Sequence, residues 1–188
     1  MLRGGQGPRP VKGRDALRAE VRQLWDGEIV TSAPPATVAA RLGPHLLRLI
    51  EEVGLPREAP AFDLDLLSPL LWKVVALGGA NRDAGLGEFL VLCQRGDDIA
   101  LGVDLATGRV FQTDLCGEVP PAFVNSSLPL YVESLAKAEA WRRSRPDAPG
   151  LLDVDRLAWA ELEALDPDIA AHENSIWPAY FYDLEHYY

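Results

Sequence analysis

The residues that could do chemistry in this chain are six aspartates, three histidines, two cysteines and one serine pair. Asp63, Asp65, Asp97, Asp98, Asp104 and Asp114 are the raw material of a hydrolase or divalent-cation site, which needs several carboxylates converging on one point. None follows the spacing of a calcium loop, and Asp97-Asp98 stands directly before an apolar alternation, where turn residues belong. His172 next to Glu173 and His186 next to Glu185 lack the H-E-x-x-H spacing that puts two imidazoles on one helix face. His45 falls on an amphipathic helix. Ser126 and Ser127 have neither a G-x-S-x-G setting nor a histidine close in sequence to act as base. "GGANRDAGLG" is glycine-rich, but a phosphate cradle needs a helix after it, and here a strand follows. It reads as a plain hairpin loop. Cys93 and Cys116, 23 residues apart, have no CxxC spacing, so both read as reduced thiols, Cys93 in the apolar core. The expected set of catalytic, cofactor-binding and metal-binding residues is therefore empty. The enzymatic rival is an acidic-site hydrolase, which requires Asp63, Asp98, Asp104 and Asp114 to meet within about 6 Å.

The elements that would position these groups fall into three blocks. Helices come first: "GRDALRAEVRQLWDG" spaces Leu17, Val21 and Leu24, and "TVAARLGPHLLRLIEEVG" spaces Val38, Leu42, Leu46, Leu49, Ile50 and Val53, with Pro44 to kink or interrupt it. Strands fill the middle. "WKVVALG" (72–78) and "EFLVLCQ" (88–94) are apolar on both faces, as central strands of a covered sheet are. "DDIALGVDLATGRVFQTDL" alternates, breaks at "LATG" and resumes at Val110, which predicts a hairpin with Gly108 left-handed beside a bulge. Helices return with "SLPLYVESLAKAEAWRRSR", "LLDVDRLAWAELEALDP", whose buried face is expected from Leu157, Trp159, Leu162 and Leu165, and a last aromatic helix opening at "SIWP". A side-chain oxygen of Asn125, Ser126 or Ser127 is expected to cap the first of these. This order predicts an α+β fold: a mostly antiparallel central sheet with helices at the N-terminus and C-terminus packing on it. Residues 1–13 read as a disordered lead and 14–188 as a single domain, within the size one core supports.

Charge is distributed unevenly. The formal net charge is −10. Residues 147–188 hold ten acidic side chains and one basic, Arg156, together with seven of the fifteen aromatics. A surface that needs only solubility mixes signs, whereas tyrosine and tryptophan beside unpaired carboxylates suit a protein-binding surface. Such a field repels nucleic-acid phosphates and attracts basic proteins. Asp153, Asp155, Glu161, Glu163, Tyr180 and Asp183 are the candidate partner contacts. The basic N-terminal lead has no apolar signal core, and no apolar run reaches membrane-spanning length. A cytoplasmic protein is expected, with no membrane and no nucleic-acid partner, and the Asn-x-Ser sequon at Asn125 loses its glycosylation meaning.

Taken in order, "VGLPREAPAFDLDLL", "IALGVDLATGRVFQTD", "FVNSSLPLYVESL" and "LDPDIAAHENSIWPAYFYDLE" resemble the fourth immunity-protein group of the SUKH superfamily, from about residue 45 to the end. Asp104, Thr107, Gly108 and Val110 match its hairpin signature, Asn125, Ser126, Ser127 and Leu128 its helix entry, and Trp177 its late aromatic. The resemblance implies fold determinants at these positions. It also implies a non-catalytic protein without cofactor that neutralises a toxin encoded beside it, very often a nuclease or nucleic-acid deaminase. The alternative from another class is a regulatory scaffold domain with an endogenous partner.

Overall fold

Alternating apolar stretches in the middle of the chain pair into a five-stranded meander, and the flanking amphipathic stretches become helices laid on it. The computed structural model describes residues 12–25, 29–30, 33–56, 71–96, 98–144 and 151–179. Residues 1–11 of the predicted lead, Asp63, Asp65, Asp97, Tyr180, Asp183 and His186 lie outside them.

Helix α1 (Arg14–Trp25) buries Leu17, Val21 and Trp25 at intervals of four, the stripe a core-facing helix needs. The second amphipathic stretch is cut in two at Gly43: α2 (Ala36–Ala39) ends before it and α3 (Pro44–Glu52) begins with Pro44 as its first residue. There the missing proline N–H costs nothing. Between α1 and α2 lies β1 (Ile29–Val30), which pairs antiparallel with β2 (Leu55–Pro56) just after α3.

The main sheet has the order β3-β4-β5-β6-β7, every neighbour antiparallel. It comprises β3 (Val74–Ala76), β4 (Glu88–Arg95), β5 (Ile99–Asp104), β6 (Val110–Asp114) and β7 (Ala122–Asn125). Between β3 and β4, "GGANRDAGLG" is not the plain loop its glycines suggest, because it carries a short helix, α4 (Gly79–Asp83). Gly79 and Gly117 both have positive φ, and a Cβ on Gly79 would sit 2.3 Å from the Gly117 carbonyl oxygen. That close approach lets Ala80 N–H donate to Gly117 O at 2.8 Å. Asn81, fully buried, donates from Nδ2 to the Asp114 carbonyl and accepts the Thr113 hydroxyl.

Helix α5 (Leu128–Ser144) is the central helix, with α1, α3 and α6 (Leu151–Leu165) against it and β7 leading into it. Its buried set includes Leu128, Tyr131, Val132, Leu135 and Ala138. Being enclosed on several sides, it also buries Glu133, Ser134 and Glu139. Helix α7 (Asp168–Ala171) follows after Pro167. The large core lies between this helical layer and the sheet, and a smaller cluster of Leu77, Leu86, Phe89, Val91 and Ala100 completes the molecule. The fold is α+β, with its antiparallel sheet where the sequence places it. No described helix is long and apolar enough to cross a membrane.

Candidate functional site

The signature residues build two structural joints. In the β5–β6 turn, Asp104 Oδ2 accepts Thr107 N–H at 3.0 Å and Thr107 Oγ1–H at 2.5 Å. Gly108 at φ 75° then donates to Asp104 O at 2.8 Å, while Asp104 N–H donates to Arg109 O at 2.9 Å. Two residues thus face one, and glycine takes the left-handed position at no steric cost.

The second joint is "VNSS". Ser127 supplies the cap of α5, its Oγ accepting Leu130 N–H at the long distance of 3.5 Å. Asn125 and Ser126 do something else. Asp166, 1% exposed at the end of α6, accepts Asn125 Nδ2–H at 3.0 Å, Ser126 N–H at 2.7 Å and Ser126 Oγ–H at 2.8 Å. Asn125 Nδ2 also donates to Ser134 Oγ at 3.1 Å, and Trp177 Nε1–H donates to Val124 O at 3.0 Å and reaches Asn125 Oδ1 at 3.4 Å. One buried polar network therefore ties β7, α5, α6 and the segment after α7, every member meeting hydrogen-bonding need that burial would otherwise penalise. With Asn125 fully buried and its amide engaged twice, the sequon has no room for a glycan. Ser126 faces a carboxylate with no histidine bonded to it among the described residues, so the pair has no base-activated nucleophile.

The α6 candidates separate. Glu161 forms an ion pair with Lys137 of α5 at 3.1 Å, and Glu163 accepts Trp159 Nε1–H at 2.5 Å. Asp153 and Asp155 lie on the same helix, two turns toward its start. Among the described side chains of α6, Ala158, Leu162 and Leu165 are buried, whereas Leu157 is 68% exposed, correcting the expectation that Leu157 faces the core. A small residue, Ala158, takes the core-facing position, and Leu157 points to solvent one turn before Glu161.

Sequence reasoning missed a further surface. The β5–β6 register puts Ile99 opposite Asp114, which brings the start of β5, the end of β6 and the β6–β7 connection together around a groove of about 440 Å³. Asp98, Asp114 and Glu118 line it with Ile99, Val119 and Cys116, and none of its described lining residues is basic. Hydrogen bonds from the Cys116, Glu118 and Val119 N–H groups, outweighing a small desolvation, hold Asp114 below the usual carboxylate range. Those hydrogen bonds favour its charged form. The Cys116 thiol, 3.6 Å from Asp98 Oδ1, is raised by that hydrogen bond and the surrounding carboxylates, the opposite of what a nucleophilic cysteine needs. Burial raises Cys93 far above a free thiol.

Of the carboxylates proposed for a hydrolytic cluster, Asp98 and Asp114 meet at this groove. Asp104 stands at the other end of β5, about 17 Å along a strand of this length. Among the described residues no three histidine, cysteine or carboxylate side chains gather as metal ligands. No curated protein and no solved structure matches the chain. One family model does, that of the SUKH-4 immunity proteins, over residues 16–183. With nearly the whole chain covered, this protein belongs to the SUKH-4 immunity protein family.

Proposed function

We propose that the protein acts in the cytoplasm as a non-catalytic immunity protein. On this reading it binds a basic toxin domain, a nuclease or nucleic-acid deaminase, through an acidic surface and neutralises it by occlusion. The observation that carries the reading is the charge imbalance within an immunity-protein family member: ten acidic residues against one basic over residues 147–188. A nucleic-acid-processing domain presents cations to phosphates, and a carboxylate-rich protein surface competes for the same cations while steering encounter. Asp153, Asp155, Glu161 and Glu163 on α6, with Tyr180 and Asp183, are the proposed contacts. Leu157, exposed beside Glu161, adds an apolar element of the kind found at interface centres. The test is titration of the purified protein with the inactivated toxin domain encoded next to it. A stoichiometric complex that weakens with salt is expected. Replacing the four α6 carboxylates by alanine should reduce both affinity and salt dependence, and unchanged values would refute the electrostatic part of the proposal.

A further inference from the structure

The groove at the end of the main sheet has a composition that selects its occupant. Its floor and rim offer three carboxylates, Asp98, Asp114 and Glu118, with no lysine or arginine among the described lining residues. The described part of the protein has three exposed large hydrophobic residues, and two of them, Ile99 at 37% and Val119 at 59%, stand at this groove. Apolar surface beside uncompensated charge of one sign matches a side chain that is aliphatic along its stem and cationic at its head.

The groove is also held in shape before anything enters it. Asp114 is fixed by three backbone N–H groups, Leu115 N–H donates to Asp98 O at 2.7 Å, and Gly117 O accepts Ala80 N–H from α4. The walls are thus anchored by β5, β6 and α4 together. A preformed pocket loses little side-chain and loop freedom when it is filled.

We infer that this groove is a docking point for a lysine or arginine projecting from the partner toxin, its stem over Ile99 and Val119 and its charged head among Asp98, Asp114 and Glu118. The inference rests on the immunity reading and adds to it a second contact, independent of α6. It differs from an acidic patch in combining concavity, apolar walls and uncompensated charge, the features of a pocket that receives an anchor residue.

Cys116 supplies a probe at the site, since it is exposed in the groove while the only other cysteine, Cys93, is buried. The experiment measures the rate of Cys116 alkylation by the neutral reagent N-ethylmaleimide, with and without a saturating amount of the inactivated toxin domain. Complex formation is followed in parallel by size-exclusion chromatography. The expected result is a complex in which alkylation slows at least tenfold. A Glu118→Lys variant, which alters one exposed side chain, should keep the circular-dichroism melt of the parent and bind at least tenfold more weakly. A complex that forms while Cys116 reacts at its free rate, or a Glu118→Lys protein that binds like the parent, would overturn the groove and leave the immunity reading standing. Absence of any complex would overturn both.

Discussion

Replacing Asp166 by alanine removes a carboxylate that is 1% exposed and accepts three hydrogen bonds, from Asn125 Nδ2, Ser126 N and Ser126 Oγ. The three donors do not lose equally. The Ser126 hydroxyl can rotate and Asn125 keeps Ser134, but the Ser126 N–H is left without a partner, a defect that costs roughly 1–3 kcal/mol. Loss of the charge-assisted bonds contributes about 2 kcal/mol more, offset in part because a carboxylate with no ion pair among the described residues is no longer desolvated. The net expectation is a destabilisation of about 3 kcal/mol, with Asp166→Asn nearer 1 kcal/mol because its amide oxygen still accepts from Ser126 N–H. With a urea slope of about 2 kcal/mol/M, the alanine variant should lower the midpoint by about 1.5 M and the asparagine variant by about 0.5 M. An Asn125→Ala, Asp166→Ala double-mutant cycle should show coupling of about 1 kcal/mol. If Asp166→Ala unfolds within about 0.5 kcal/mol of the parent, or Asp166→Asn is the worse of the two, the network does not hold the helices to β7 as argued.

The other expectations are independent of this network. Gly117→Ala places a Cβ 2.5 Å from the Gly78 carbonyl oxygen at a residue with φ 75°, and should lower stability by about 2 kcal/mol in thermal or urea unfolding, whereas Gly85→Ala, with open space around it, should cost about 1 kcal/mol from its positive φ alone. Glu139 is pushed up by burial but held lower overall by Arg142 and Arg143, which bond it at 2.6–2.8 Å. A carboxyl with a depressed folded pKa contributes stability that is present above its unfolded value, about 4.5, and is lost as pH falls through the folded value. Urea midpoints measured from pH 7 to pH 3 should therefore fall more steeply for the parent than for Glu139→Gln; parallel curves would remove Glu139 from the acid limb.

How much of this was legible in the sequence depended on the range of the interaction. The β5–β6 hairpin was readable because Asp104, Thr107 and Gly108 interact within five residues, and α1 and α5 because a helical stripe is a local pattern. Helix α4 escaped notice since a five-residue helix opening on glycine has no periodicity, and β1 and β2, two residues each, are too short for any alternation. The face of α6 differs from the sequence expectation at Leu157 because two overlapping stripes run along that helix, and only tertiary packing selects the one through Ala158 and Leu162. "VNSS" was rightly placed as a helix entry, but Asp166, 40 residues away in "LDPD", reads locally as a helix stop. Nothing local marks it as the partner of Asn125 and Ser126. The groove was invisible for the same reason: Asp98 and Glu118 read as ordinary turn residues and Asp114 as a strand end until the register of β5 with β6 brings them together.

The most direct test of the account is the affinity of the purified protein for the inactivated toxin domain encoded beside it, measured by calorimetry at low and at high salt. The account predicts a stoichiometric complex whose dissociation constant rises at least tenfold between about 50 and 500 mM salt as screening shortens the reach of the acidic surface. A folded, inactivated toxin domain that forms no complex, or a complex indifferent to salt, would contradict it.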